Sequence, residues 1–209
     1  MKVFPPLQHG SVIRMTLKQG DSLLVAAKEM GVWKIQKPVK TLGDRPELES
    51  LIRIVRSIEI LQVIVDSVGA SSNEINLKDF GLENPEVSLI IDQGEGNTDS
   101  IAFGEDSPMG FSYLKRSSKP GILAVPTWRK MQFKKSLLDL RDKRMLPMDM
   151  DLVQRFEFES NGRRIVASKR GMEWFLEHPV KERGDDAMIQ AFLNSMQSAR
   201  VRGFAEEVA

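Results

Sequence analysis

The sequence lacks the residues on which several classes of small protein depend. It contains no cysteine, so neither a disulfide framework nor a metal site with thiolate ligands can form. A chain of 209 residues can bury about 70% of its unfolded surface, so its core needs no such support. The missing cysteines therefore do not distinguish a reducing compartment from an oxidising one.

Long hydrophobic runs are also missing. No segment approaches the roughly 20 apolar residues of a membrane-spanning helix, and the N-terminus has no signal-peptide core. The formal net charge is only +1, so the overall charge favours no class of partner. We expect this segment to be soluble, with any membrane anchor lying outside it.

Residues typical of catalytic sites are sparse. The two histidines, His9 and His178, stand in unrelated contexts without metal-ligand spacing. Residues 94–96, Gly-Glu-Gly, lack the third glycine of a dinucleotide-binding loop and predict a hairpin turn. The acidic residues at 105–106 and 149–151 are more typical of solvated turns than of a cation site. We therefore predict no catalytic residue, no cofactor and no metal, and a protein that is not an enzyme.

What the sequence does contain is one pattern that occurs twice. Trp33 and Trp174 are each followed five residues later by a proline, Pro38 and Pro179, and five residues later again by Gly-Asp. Before each Trp, two short apolar runs flank a turn, which is Gln-Gly in the first copy and Asn-Gly in the second. An amphipathic helical pattern follows each Gly-Asp. The pattern predicts two hairpins, each followed by a Trp strand, a Pro turn and a helix.

The two copies are about 141 residues apart, whereas solenoid repeats recur every 20 to 50 residues or so. We therefore expect a duplicated supersecondary block. Trp33 and Trp174 could form a stacking platform for a sugar or a base, but large aromatic residues more often fill a core. We predict that each Trp lies between its hairpin and its helix, and that Pro38 and Pro179 end the Trp strand.

Several further elements follow from local patterns. Apolar spacings of three and four residues predict a helix over 46–60, with Asp44 as its N-cap, and the same spacing predicts helices over 127–140 and 185–199. Gly81 is expected to end a short helix in a left-handed conformation. Strands are predicted at 62–68, 87–92, 100–103, 111–115, 122–125 and 201–204. The central strands are expected to form an antiparallel meander.

Positive charge is concentrated between residues 115 and 144. Ten Lys or Arg stand there against two Asp, a local balance of +8 that leaves −7 for the remainder. The candidate anion or partner surface comprises Lys115, Arg116, Lys119, Arg129, Lys130, Lys134 and Lys135. On a helix over 127–140, Trp128 and Met131 would turn toward the core and the cations would form a solvated face. Such a field could also bind acidic lipid, nucleic acid, polysaccharide or a partner's acidic face.

The order of these motifs resembles a known family. The chain contains, in this order, a hairpin, the motif W-x-x-x-x-P, an amphipathic helix, Gly81-Leu82-Glu83-Asn84-Pro85, antiparallel strands, Leu140-Arg141-Asp142-Lys143, and a second hairpin with W-x-x-x-x-P. In this order they resemble the bacterial domain-of-unknown-function family numbered forty-three forty, over nearly the whole chain from Val12 to Phe204.

The resemblance implies a location and a context, but no catalytic residues. Members of the family are typically tethered by an N-terminal membrane helix, with repeated units outside the cytoplasmic membrane. They are often encoded near components of gliding-motility-type ABC transporters. This chain differs from that pattern in lacking the anchor and in containing only the first half of a second unit, as expected of an excised soluble segment.

These observations predict an α+β fold with antiparallel β-sheets packed against amphipathic helices and a partial internal duplication. We expect an extended lead-in at 1–11, a first repeat unit at 12–150 and the first half of a second at 151–209. The predicted function is a non-enzymatic protein-interaction or scaffold module, extracytoplasmic and accessory to an ABC-transporter-like assembly. Its expected partners are proteins of a membrane-associated complex, and nucleic acid is disfavoured. The alternative is anionic-surface or polymer binding through Lys115 to Arg144.

Overall fold

The computed structural model describes residues 2–3, 12–65 and 76–205. The chain divides into two compact units, a first unit of residues 1–142 and a second unit of residues 143–209; we predicted a division after residue 150. Both units combine antiparallel strands with helices, so the fold class is α+β as predicted. The predicted lead-in and His9 lie outside the described residues, apart from Lys2 and Val3.

Within its described residues, the first unit contains a nine-stranded antiparallel sheet in the order β4-β3-β2-β1-β6-β7-β8-β9-β5. The strands are β1 (Arg14–Gln19), β2 (Ser22–Glu29), β3 (Val32–Lys37), β4 (Thr41–Leu42), β5 (Gln62–Val65), β6 (Val87–Asp92), β7 (Thr98–Asp106), β8 (Phe111–Arg116) and β9 (Lys119–Pro126). The helices are α1 (Arg45–Ser57), α2 (Thr127–Met131) and α3 (Leu137–Leu140), with a 3-10 helix at Leu77–Phe80. As predicted, Gly81 follows that 3-10 helix in the left-handed conformation, with φ 65°.

Helix α1 covers the core of the first unit. The carboxylate of Asp44 accepts a hydrogen bond of 3.2 Å from the backbone N–H of Glu47, which confirms the predicted N-cap. Leu48, Leu51 and Val55 follow at helical spacing and are buried against the sheet. The sheet presents to the same core the alternate apolar residues of β1 and β6, because side chains alternate between the faces of a strand.

The second unit is smaller and, in its described part, has a four-stranded antiparallel sheet in the order β10-β11-β12-β13. Its elements are a 3-10 helix at Met150–Leu152, β10 (Arg155–Ser160), β11 (Arg163–Arg170), β12 (Glu173–His178), β13 (Glu182–Arg183) and α4 (Asp186–Ser198). The buried core consists of Met150, Ala167, Trp174, Ile189 and Leu193. Because β10 is the first strand in this order, it forms an edge of the sheet in the described part of the chain.

The stretches β1–α1 and β10–α4, here called the Trp-Pro blocks, share local geometry. In both, an aspartate caps a helix of 13 residues. The pairing of the second and third strands shifts register between Val25 and Ala26 in one block and between Val166 and Ala167 in the other. The peptide bond before the proline is cis in both, at Lys37-Pro38 and His178-Pro179. The sequence pattern did not predict these cis bonds.

Two predicted elements are wrong. Residues 127–140 form two short helices instead of one, because Phe133 turns into the core beside Phe103 and Ser136 starts α3 with a capping box to Asp139. Residues 201–204 form no strand; the backbone N–H of Val201 donates to the carbonyl of Lys143 at 2.9 Å. The strand predicted at 62–68 is described as far as Val65.

Among the described residues, no helix is both long enough and apolar enough to cross a membrane.

Candidate functional site

Lys130, the central member of the predicted basic surface, is buried. Its Nζ lies 2.9 Å from Oε2 of Glu86 and 2.7 Å from Oδ1 of Asp106, and it donates to the carbonyl of Gly104 at 3.3 Å. Burial alone would lower the pKa of Lys130, but the hydrogen bonds to Asp106 and Glu86 outweigh it and raise the pKa above its ordinary value. Lys130 is therefore a charged structural residue that is paired inside the first unit.

The predicted orientation of this segment is consequently wrong. Trp128 and Met131, expected in the core, are 54% and 53% exposed, whereas Lys130 is 2% exposed. A buried ammonium group requires compensating partners, and Glu86, Asp106 and the carbonyl of Gly104 supply them for Lys130. The guanidinium of Arg129 stacks on the exposed Trp128 ring at 4.0 Å from its centroid.

Most of the remaining cations are also engaged within the first unit. Arg116 is buried and its Nε donates to Oδ2 of Asp99 at 2.7 Å. Lys134 pairs with Glu86, and Lys135 pairs with Glu47 at 3.0 Å. These contacts offset much of the local positive charge that the sequence predicts.

Lys115 and Lys119 complete the predicted surface. They lie on β8 and β9, half-buried and exposed respectively. The structure thus brings Lys130 and Lys134 together, because both pair with Glu86. Among the described contacts, none links the other five cations of the predicted surface into one patch.

Both tryptophans are buried. Trp33 is 1% exposed and Trp174 is 2% exposed, each between its hairpin and its helix, as the core interpretation predicts. The carbonyl of Trp33 accepts from Gly43 at 2.9 Å, and that of Trp174 accepts from Gly184 at 2.7 Å. Neither indole offers a free face for stacking a ligand, and Pro38 and Pro179 follow at the ends of the Trp strands.

An apolar groove of about 380 Å³, here called the open groove, lies between the sheet and α4 of the second unit. It is lined by Phe156, Phe158, Ile165, Leu176, Asp185, Met188, Ile189 and Phe192. The Phe192 ring stands 5.6 Å from that of Phe156 and 5.3 Å from that of Phe158. The three aromatic rings thus pack against one another along one side of the open groove. The carboxylate of Asp185 accepts the N-cap hydrogen bond of α4 from the backbone N–H of Met188.

The open groove exposes residues whose counterparts in the first Trp-Pro block are buried. Phe158 is 38% exposed and Ile165 is 39% exposed, whereas the residues at the same places, Leu17 and Leu24, are 2% and 5% exposed. Met188 on α4 is 69% exposed. These side chains adjoin one another, and adjoining exposed apolar residues are typical of interaction sites, whereas singly scattered ones need no explanation.

The edge strand β10 borders the open groove. The two-residue Asn161-Gly162 turn makes Ser160 and Arg163 a hydrogen-bonded pair, so that alternate residues of β10 bond to β11. Consistently, the carbonyl of Gln154 accepts from Lys169 at 2.8 Å. The backbone N–H and C=O groups of Glu157 therefore point toward the free edge.

Sequence reasoning missed this site because it treated the two blocks as equivalent. A signal was nevertheless present at residue 188, where the second copy has Met in place of the first copy's Glu47 on the outer side of the helix. Phe158 likewise stands where the first copy has Leu17.

No group of His, Cys, Asp and Glu in the described part of the chain is arranged to hold a metal ion. In comparisons with known proteins, a family model described as "Domain of unknown function (DUF4340)" matches residues 33–209. No curated protein and no solved structure matches the chain significantly.

Proposed function

The chain belongs to the family Domain of unknown function (DUF4340), and we propose that it acts as a non-enzymatic protein-interaction module. The observation that carries this proposal is the open groove, where Phe158, Ile165 and Met188 are exposed beside a free strand edge. Burying such a surface against a partner removes apolar area from water, which is the main favourable contribution to most protein association.

We further propose that the two Trp-Pro blocks derive from one duplicated block. The matching register shifts, helix lengths and aspartate caps support this origin. A duplicated block that keeps its scaffold but loses its covering layer would gain a binding surface at little cost to its own core.

The proposed setting is the extracytoplasmic side of a bacterial envelope, where the module would serve an ABC-transporter-like assembly. The support for this setting is the family resemblance, since members are typically tethered to the membrane and encoded near transporter components. The partner would then be a protein of a membrane-associated complex.

Because the sequence contains no cysteine, an introduced cysteine can be labelled at a single position. We would express Met188→Cys in a bacterial host and treat intact cells with a membrane-impermeant maleimide that carries a photo-crosslinker. The proposal predicts labelling of intact cells and, after irradiation, a discrete adduct with a membrane-transport protein.

Met172→Cys is the matched control, because Met172 is also highly exposed in the second unit but lies on the β11–β12 turn, away from the open groove. Labelling without a discrete adduct at residue 188, or the same adduct from both variants, would overturn the interaction proposal. Protection of both cysteines until the cells are lysed would overturn the extracytoplasmic location.

A further inference from the structure

We propose that β10 takes up an extended segment of a partner protein as an added antiparallel strand. The alternate aliphatic residues of that segment would close the open groove, and its other residues would be opposite in charge to Arg155, Glu157 and Glu159. This inference rests on the proposed function and specifies the chemistry of the partner at that same site. Strand addition to an exposed sheet edge is a recurrent mode of peptide recognition.

The first unit contains the complete version of this arrangement. There β6 pairs antiparallel with β1 along its whole length, with Met15 opposite Ile91 and Leu17 opposite Leu89. Leu89 and Ile91 are each 1% exposed, and they pack in the same core as α1. In the first unit, an apolar strand with buried side chains at alternate positions thus adjoins this face of the Trp-Pro block and shares its core.

The corresponding positions of β10 in the second unit carry the apolar side chains and the unpaired backbone groups that such a pairing requires. Phe156 and Phe158 occupy the places of Met15 and Leu17 and line the open groove beside Phe192. The free N–H and C=O of Glu157 supply backbone hydrogen bonds along the edge, because every second residue of an antiparallel strand faces the unpaired side. An added strand would satisfy these groups and cover both rings at once.

The opposite face of β10 determines which charges the partner needs. Its outward row is Arg155, Glu157 and Glu159. Arg164 donates to Glu157 at 2.7 Å, and Arg155 lies 3.4 Å from Glu177 and 3.9 Å from Glu157. No ion pair of Glu159 occurs among the described residues. Opposite charges on directly facing residues of neighbouring strands are favourable, and like charges are unfavourable. The row therefore selects a strand with basic residues opposite Glu157 and Glu159 and an acid opposite Arg155.

A second copy of this chain fits the edge less well. If two β10 strands paired antiparallel with Phe158 opposite Phe158, Glu157 would face Glu159. With Phe156 opposite Phe158, Arg155 would face Glu159 favourably at two positions, but Glu157 would face its own counterpart. The remaining nearby register, with Phe156 opposite Phe156, pairs Arg155 with Glu157 but places the polar Gln154 opposite Phe158. Each register thus keeps at least one like-charge or polar-apolar mismatch, whereas a strand of a different sequence can complement every position of the row.

The β6 strand supplies the design of a probe. A peptide of residues 86–92 with Ser88→Lys and Ile90→Lys keeps the aliphatic row and places lysines opposite Glu159 and Glu157 when it is transferred to β10 in the β6 register. The control peptide carries Ser88→Glu and Ile90→Glu and has the same aliphatic row. Binding of each labelled peptide to the full chain would be measured by fluorescence anisotropy at low salt.

The expected result is that the Lys peptide binds about tenfold more tightly than the Glu peptide, because two facing pairs change from attractive to repulsive. The double variant Glu157→Lys/Glu159→Lys should reverse this preference. Amide hydrogen exchange at Glu157 and Glu159 should slow when the Lys peptide binds, since their N–H groups become donors. Equal affinity for the two peptides, or unchanged exchange at these amides, would overturn the inference.

A further variant separates strand addition from simple filling of the groove. Glu157→Pro removes one edge N–H without removing a bond to β11, and should abolish binding of the Lys peptide while the circular dichroism spectrum is retained. If that variant does not fold, the reversal of charge preference still decides the question. Concentration-dependent dimers that the same charge reversal disrupts would instead identify a second copy as the occupant and overturn the inference.

The inference and the proposed function can fail separately. A discrete crosslink at residue 188 combined with no binding of either peptide leaves the interaction module in place and removes the added strand. Peptide binding with the expected charge preference but no crosslink in cells would remove the proposed setting and leave the edge as a strand acceptor in vitro.

Discussion

The two Trp-Pro blocks have similar local geometry and very different surroundings. In the first unit β1 lies inside a nine-stranded sheet, where Leu17 is buried opposite Leu89 of β6. In the second unit β10 is an edge of four described strands, and Phe158 is exposed. The comparison shows that a block of this kind folds a hairpin onto its own helix. It also shows that the block presents one apolar face that requires another layer.

The two units also use charge differently. In the first unit, Lys130 and the ion pair between Arg116 and Asp99 are buried. The second unit carries ion pairs such as Arg164–Glu157 on its surface, where water and salt weaken them. We therefore expect unequal responses to equivalent substitutions in the two units.

The largest difference should follow removal of the two tryptophans. Trp33→Ala and Trp174→Ala should each cost about 3–5 kcal/mol in free energy of unfolding, since both side chains are fully buried. The smaller second unit has a total stability of about the same size and should unfold, whereas the first unit should remain folded. Hydrogen exchange followed by mass spectrometry reports the two units separately. Unfolding of both units by either substitution would contradict this difference.

A smaller difference concerns acid sensitivity. Burial raises the pKa of Asp99, but hydrogen bonds from Arg116, Ser117 and Ser118 outweigh burial and hold the pKa below its usual value. A carboxyl with a lowered folded-state pKa stabilises the fold above its unfolded pKa, and this contribution is lost as the pH falls through the folded value. Asp99→Asn should therefore cost about 2 kcal/mol at neutral pH.

The pH dependence distinguishes this effect from a general loss of packing. The stability difference between the parent and Asp99→Asn should shrink as the pH is lowered from 5 toward 2, as measured by urea unfolding. Glu157→Gln is the control in the second unit, because Glu157 is exposed and its ion pair should contribute too little to detect. A constant difference across this pH range would show that ionisation of Asp99 is not responsible.

The smallest difference should come from the two glycines that follow the Pro turns. A Cβ at Gly43 would approach Cδ1 of Leu48 to 2.6 Å, and one at Gly184 would approach Cδ1 of Ile189 to 2.7 Å. Leu48 is enclosed in the core, whereas Ile189 borders the open groove and has room to shift. Gly43→Ala should cost about 1–3 kcal/mol and Gly184→Ala clearly less, as measured by thermal unfolding. Equal costs would mean that the groove does not relieve the second block.

Local chemistry was sufficient to predict much of this fold. The Asn161-Gly162 turn specifies a tight hairpin, and Asp44 and Asp185 begin helices whose apolar spacing defines a buried face. These features depend on residues a few positions apart, so they can be recognised without knowledge of the rest of the chain. The same patterns also supported the family resemblance, which the match over residues 33–209 confirms.

The tertiary structure decided what the local patterns left open. The burial of Lys130 depends on Glu86 and Asp106, which are distant in the sequence and pair with its ammonium group. Whether the outer edge of the hairpin is paired depends on the placement of β6 beside β1, which no property of β1 itself reveals. The sequence by itself determined the blocks, because their contacts are local. Only the long-range contacts decided that one block is covered and that the other keeps an open groove.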